Sequence, residues 1–107
     1  MAATPVTPGP GLVSFITAAG TPVVVAPAGP NGGYITNPIS SVDQGLGPSA
    51  APEPLFVDPT GAPATTQGNG TTFRIEPGGT FFLIPGQTTT TSVNAASAGH
   101  RFSVVTW

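Results

Sequence analysis

The hydrophobic residues of this chain fall in short clusters separated by Gly, Pro and Thr, and Pro or Gly interrupts every stretch that approaches helical spacing. An amphipathic helix needs apolar residues at i, i+3, i+4 and i+7 over about eleven residues, so no long helix is expected. The clusters have the length of strands and are rich in Val, Ile and Phe, which favour extended backbone. The pattern predicts strands at 12–17, 22–26, 33–37, 55–58, 71–76, 80–84, 88–94 and 101–107.

Turn signals occupy the gaps between these predicted strands. Asn31-Gly32 tolerates the left-handed backbone of a tight hairpin. Pro77-Gly78 and Pro85-Gly86 place Pro and then Gly at the centre of type II turns, which we interpret as hairpins within one sheet. The regular spacing predicts an all-β fold: an antiparallel β-sandwich or jelly-roll-like small barrel of about eight short strands.

Two segments do not follow the strand pattern. Residues 1–11 contain three prolines and no aromatic residue, which predicts an extended N-terminal arm with polyproline-like geometry. Residues 44–54, rich in Gly and Pro, predict a loop between two groups of strands. The first group has too little apolar surface to fold alone, so we expect a single β domain over 12–107.

Charged residues are scarce, and this scarcity excludes several classes of function. The 107 residues include two basic and four acidic side chains, with no Cys. Two arginines without a lysine cannot neutralise a phosphate backbone, so we expect no nucleic-acid partner. No run approaches the roughly 20 apolar residues of a membrane span, and the N-terminus lacks the basic and apolar regions of a secretory signal. We therefore expect that the protein does not associate with a membrane. We also expect that it is made in a cytosol.

Candidate chemistry is limited to a few titratable groups. His100 is the only histidine, and we interpret it as a turn or surface residue just before the last strand. A triad of His100 with a serine and an acid stays open, although the chain has no Gly-x-Ser-x-Gly elbow. One His without Cys cannot form a zinc site, and Asp43 and Asp58 lack the spacing of a calcium loop. We expect no catalytic residue, no metal and no cofactor, and hence not an enzyme.

Two further pairings follow from strand alternation. In the strand 71–76, Phe73 and Ile75 share one face and Arg74 and Glu76 share the other, which predicts a surface ion pair. Trp107 follows the last strand directly, and we expect its ring to pack into the core or against a neighbour.

The second half of the chain resembles a known group of proteins. The resemblance is carried by Glu-Pro-Leu-Phe-Val-Asp-Pro at 53–59, Gly-Asn-Gly-Thr-Thr-Phe at 68–73, the Pro-Gly turns at 77 and 85, and Gly-His-Arg-Phe at 99–102. These segments resemble small virion proteins of tailed bacteriophages, of the capsid decoration, cement or head-fibre type. The resemblance implies a non-enzymatic structural protein, commonly a homotrimer, made in the host cytoplasm. Its partner would be the major capsid protein, bound on the outer surface of the head between capsomers.

Candidate contact residues in such a role are Pro5, Val6, Pro8, Leu12 and Trp107, with the N-terminal arm and one strand edge meeting the capsid. Two alternatives remain open at this point. One is a tail or fibre module of the virion. The other is a carbohydrate-binding β-module, for which Tyr34 and Trp107 are the plausible sugar-stacking residues.

Overall fold

A computed structural model of the chain describes residues 13–25, 30–68, 70–87 and 89–107. Eight strands form in these residues, and none of the described residues is helical. The strands are β1 (Val13–Phe15), β2 (Val23–Val25), β3 (Gly33–Thr36), β4 (Leu55–Asp58), β5 (Phe73–Ile75), β6 (Thr80–Leu83), β7 (Thr91–Asn94) and β8 (Arg101–Thr106). Each strand lies inside one of the segments predicted from the sequence. The predicted arm at 1–11 lies outside the described residues.

The strands pair in a nested order. β1 pairs with β8, β2 with β7, β3 with β6 and β4 with β5, all antiparallel. The additional pairs β3 with β8 and β4 with β7 complete a first sheet, β1-β8-β3-β6, and a second sheet, β2-β7-β4-β5. Two four-stranded antiparallel sheets in this order are a jelly roll. The all-β prediction is confirmed. Within the described residues there is no apolar helix that could span a membrane.

The Pro-Gly turns have the predicted conformation but not the predicted role. Gly78 has a φ of 85° and Gly86 a φ of 70°, the positive values that the third position of a type II turn requires. The closing hydrogen bonds run from the Gly79 amide to the Glu76 carbonyl at 2.8 Å and from the Gln87 amide to the Ile84 carbonyl at 3.1 Å. However, β5, β6 and β7 alternate between the two sheets. The hairpin interpretation is therefore wrong, because these turns carry the chain from one sheet to the other.

Asn31-Gly32 is not a hairpin turn either, since β2 and β3 belong to different sheets. Instead, this dipeptide extends the β3–β8 ladder. The Asn31 amide donates to the Trp107 carbonyl at 2.9 Å, and the Trp107 amide donates to the Gly32 carbonyl at 3.1 Å. The positive φ of Gly32, 118°, therefore belongs to the backbone that enters β3 and not to a hairpin turn.

The core lies between the inner faces of the sheets. Every strand is short, so β2 to β8 each contribute one or two side chains to it. On β8 the alternation is clear, because Phe102 and Val104 are buried whereas Arg101 is exposed. The buried hydrophobic cluster comprises Ile16, Val25, Ile35, Leu55, Val57, Ile75, Leu83, Val93, Ala95, Phe102 and Val104. This cluster draws on strands from both sides of the 44–54 loop.

The outer faces of the two sheets differ in how they are covered. The segment that follows β4 folds back over the second sheet: the Ala64 amide donates to the Ser92 hydroxyl, and the Asn94 side-chain amide donates to the Ala64 carbonyl, each at 2.9 Å. Phe56, on this outer face, is consequently 4% exposed. On the outer face of the first sheet, Phe82 is 72% exposed. The first sheet thus keeps an apolar outer surface in contact with solvent.

Candidate functional site

An apolar row crosses the outer face of the first sheet. Tyr34 of β3 lies opposite Phe82 of β6 on one side and Val105 of β8 on the other. Its chain neighbour Ile35 is completely buried in the core. Because successive side chains of a strand point to opposite faces, Tyr34 and its two partners point outward.

Trp107 continues this row beyond the end of β8. Its ring centroid lies 5.8 Å from that of Tyr34 at an interplanar angle of 62°, and the Tyr34 and Phe82 rings lie 6.4 Å apart at 66°. Both are edge-to-face arrangements, which aromatic quadrupoles favour. The ring of Trp107 also lies over Gly32, where a Cβ would stand 3.8 Å from its Cζ2 atom. Trp107 therefore packs against its own chain on the outer face, half-buried, and not in the core.

Tyr34, Phe82, Ile84, Val105 and Trp107 together are called the aromatic face below. Ile84 follows β6 and is 68% exposed. None of the five side chains carries a charge. Exposed apolar groups that are contiguous, as opposed to scattered singly, mark interaction surfaces on soluble proteins. The chemistry of the aromatic face is therefore binding by apolar and ring contacts.

The aromatic face only partly matches the predicted contact residues. Trp107 belongs to it, whereas Pro5, Val6, Pro8 and Leu12 lie outside the described residues. The sequence reasoning missed Phe82 and Ile84. A signal for them exists, because an 80–84 strand that turns Leu83 inward must turn its two neighbours outward.

His100 lies away from the aromatic face. It closes the turn 97–100, as one of the two interpretations had it, but the surface interpretation is wrong. The ring is completely buried just before β8. Its Nε2 atom lies 2.8 Å from Oδ1 of Asn37, which is itself completely buried. A polar ring can occupy this position because Asn37 bonds to it and begins a segment of hydrogen-bonding groups, residues 37–54 between β3 and β4.

Gln44 is the centre of those hydrogen-bonding groups. Its side-chain amide donates to Asn37 Oδ1 at 3.1 Å and to the carbonyls of Pro38 and Glu53 at 2.8 and 2.9 Å. Its Oε1 atom accepts from the Glu53 amide at 2.9 Å. One buried side chain thus joins both ends of the 37–54 segment.

The geometry around His100 does not assemble a nucleophile with a base. The Ser97 hydroxyl donates to Glu53 Oε2 at 2.7 Å and not to the imidazole. Glu53 Oε1 lies 3.8 Å from His100 Nδ1. Burial lowers the pKa of His100 below its ordinary value, and the Glu53 carboxylate opposes this shift without cancelling it. In a serine triad the hydroxyl must be bonded to the imidazole, so these residues do not form one.

The acidic residues considered for calcium are occupied or isolated. Asp58 is 2% exposed, and its carboxylate accepts hydrogen bonds from the hydroxyls of Thr60, Thr71 and Thr72 at 2.6, 2.7 and 3.2 Å. Asp43 is exposed in the 37–54 segment. Within the described part of the chain, no three His, Cys, Asp or Glu residues gather into a possible metal site.

Surface charges pair as the sequence predicted. The Arg74 guanidinium on β5 bonds to the carboxylate of Glu76, which follows the strand, and both side chains are largely exposed. This pair lies at one edge of the second sheet, whereas β6, one of the two edge strands of the first sheet, carries no charge.

No protein-family model, no curated protein and no solved structure matches this chain. Function is therefore inferred from its own residues and their arrangement.

Proposed function

We propose that this chain is a non-enzymatic structural protein of a phage virion, a capsid decoration protein that binds the outside of the head between capsomers and stabilises it. The observation that carries the proposal is the aromatic face, an uncovered apolar sheet surface with Phe82 72% and Ile84 68% exposed. A surface of this kind favours a protein whose working state buries it against another protein. The likeness of residues 53–102 to small virion proteins supplies the capsid as that partner.

The charge distribution supports attachment through apolar contacts. Only six of 107 residues are charged, and the aromatic face has none. Contacts of this kind weaken little as salt screens charges, in contrast to association between oppositely charged surfaces. An uncharged edge strand, β6, borders the same face and offers unpaired backbone groups to a partner.

The test mixes the purified chain with phage heads that lack it. We expect saturable binding and a higher temperature of head disruption. The variant Ile84→Ser should bind more weakly, because it removes an apolar group from the aromatic face. Val24→Ser is the matched control, since Val24 is also 68% exposed but lies on β2 of the second sheet. Absence of binding to heads contradicts the proposal, and binding to isolated tails in place of heads favours a tail or fibre module.

One observation favours a second function, a carbohydrate-binding module. The two residues considered for sugar stacking, Tyr34 and Trp107, are brought to 5.8 Å of each other on the aromatic face. Trp107 is the only tryptophan, so its fluorescence reports on this position alone. Saturable quenching by a glycan, abolished in Tyr34→Ala, would support the module. A fluorescence signal that no glycan in a panel changes would contradict it.

A further inference from the structure

His100 presents one bonded and one unbonded ring nitrogen inside the protein. The ring is completely buried, and its Nε2 atom is bonded to Asn37. The other nitrogen, Nδ1, has no hydrogen-bond partner, and neither does the Glu53 Oε1 atom that faces it at 3.8 Å. Most buried polar groups are hydrogen-bonded, so this facing pair needs a physical explanation.

The hydrogen bonds around Asn37 determine which ring nitrogen carries the proton. The Asn37 side-chain nitrogen donates to the carbonyls of Glu53 and Ile75, both at 3.0 Å, and these oxygens can only accept. Oδ1 of Asn37 therefore faces His100 Nε2 as an acceptor, and Nε2 must be the donor. In the neutral ring Nδ1 then has a lone pair directed toward the Glu53 carboxyl group.

The same ring holds the 37–54 segment against the start of β8. Asn37, bonded to the ring, begins this segment, and Glu53, facing the ring, lies near its end. Gln44 joins them through its side chain. Its backbone carbonyl accepts a hydrogen bond from the Arg101 amide at 2.8 Å. The imidazole is thus one of the contacts that join this segment to the start of the last strand.

We propose that His100 and Glu53 form an acid-sensitive latch, in which the neutral ring holds the 37–54 segment to β8 and protonation of Nδ1 releases it. A proton on Nδ1 places a cation in a site closed to water, and the Glu53 carboxylate at 3.8 Å, too far for a hydrogen bond to the ring, offsets only part of that cost. Among the described residues, Glu53 is the only ionisable side chain that faces the ring within 4 Å, and it is 27% exposed. Asp43 of the same segment and Arg101 of β8 are both exposed.

The sign of the effect follows from proton linkage. Because burial lowers the pKa of His100 in the folded state, the opened state binds a proton more tightly than the closed state. The latch is then fully closed above about pH 6.5 and weakens as the pH falls from that value toward the folded-state pKa. Within this window the opening equilibrium rises up to about tenfold for each pH unit.

Amide hydrogen exchange followed by NMR between pH 5 and 7.5 tests the latch. We expect the opening equilibrium at the Gln44, Glu53 and Arg101 amides, corrected for intrinsic exchange, to increase toward pH 5. The β4 and β7 amides of the second sheet should change less. The ring signals of His100, the only histidine in the chain, should titrate below pH 6.5. Titration at or above pH 6.5, or equal acceleration of both amide groups, would overturn the proposal.

Two variants separate the latch from general instability. Glu53→Gln offers Nδ1 a hydrogen-bond donor while its amide oxygen still accepts from Ser97, so the segment should open less and the titration should move to lower pH. His100→Gln keeps a donor for Asn37 but has no titrating group, so opening should become independent of pH over this range. If His100→Gln does not fold, Glu53→Gln and the wild-type titration still decide the question. A titration that Glu53→Gln leaves unmoved contradicts the proposal.

Discussion

Trp107 lies edge-to-face on Tyr34, with the ring centroids 5.8 Å apart, on the outer face of the first sheet. The contact joins the residue after β8 to the middle of β3, and it covers the buried Gly32. The aromatic face is therefore partly self-packed: Trp107 and Tyr34 are half-buried, whereas Phe82 and Ile84 remain open to solvent.

This difference predicts unequal effects of truncation within the aromatic face. Trp107→Ala removes a half-buried ring, an edge-to-face contact and the cover of Gly32, so the free energy of unfolding should fall by about 1 to 2 kcal/mol. Phe82→Ala removes a side chain that is 72% exposed, so the free energy of unfolding should change by less than about 0.5 kcal/mol. Urea unfolding followed by far-UV circular dichroism compares the two. Equal losses would contradict the packing described for Trp107.

Gly33 in β3 should not tolerate a side chain. A Cβ placed there would stand 2.6 Å from the carbonyl oxygen of Val105, a backbone atom of the paired strand β8. Gly33→Ala must push β3 and β8 apart, and we expect a loss of about 3 kcal/mol in thermal unfolding. Gly20→Ala is the control, because that site has open space and only its φ of 70° opposes a side chain. Its cost should be about 1 kcal/mol, and a larger loss there than at Gly33 would refute the prediction.

Asp58 should stabilise the segment that covers the second sheet, in a manner that depends on pH. Burial acts to raise the pKa of Asp58, but hydrogen bonds from Thr60, Thr71 and Thr72 outweigh it and hold the pKa below its ordinary value. The folded state therefore binds this proton more weakly than the unfolded state. The stabilisation that the Asp58 carboxylate contributes is therefore complete above about pH 4. It is lost as the pH falls through the folded-state pKa of Asp58.

The variant Asp58→Asn replaces one acceptor oxygen by a donor that faces the Thr71 and Thr72 hydroxyls. We expect a loss of about 1 to 3 kcal/mol at pH 7, measured by urea unfolding, and a weaker pH dependence below pH 4. Asp43→Asn is the control, because Asp43 is exposed, and it should leave the unfolding midpoint nearly unchanged. An unchanged midpoint in both variants would count against the hydrogen-bond network.

Gln44 should be among the most sensitive polar positions of the chain. Its side chain is completely buried and bonds to Asn37, Pro38 and Glu53. Gln44→Ala leaves the Glu53 amide unpaired, so we expect a loss of about 3 kcal/mol in unfolding free energy at pH 7. Gln67→Ala, at an exposed position, is the control and should stay within about 0.5 kcal/mol of wild type. Similar stabilities for the two variants would show that the buried bonds add nothing.

Local sequence was informative about elements and turns. Short Val-, Ile- and Phe-rich clusters located each strand of the described residues because β-branched and aromatic residues favour extended backbone. Pro-Gly pairs identified the turns at 77 and 85 because they determine φ at two successive positions. The same signals could not tell which sheet a strand joins. A turn determines only its own backbone, whereas a strand's sheet depends on the distant strand that pairs with it.

The candidate site was less accessible to sequence reasoning. The sequence indicates Tyr34 and Trp107 separately as rings that could stack on a sugar, but their contact depends on the pairing of β3 with β8. For His100 the surface interpretation is wrong, because its burial depends on Asn37, which is far from it in sequence and is itself bonded to Gln44. A lone histidine beside Gly and Arg carries no local sign of such partners.

The sparse charge and the alternating apolar pattern by themselves determined an all-β chain of short strands with Gly- and Pro-rich turns, because these are properties of each residue and its immediate neighbours. Tertiary structure alone decided the jelly-roll order, the open aromatic face beside the partly covered second sheet, and the burial of His100 against Glu53. These features arise from which distant surfaces bury one another, and that choice minimises the free energy of the whole chain and not of any one segment.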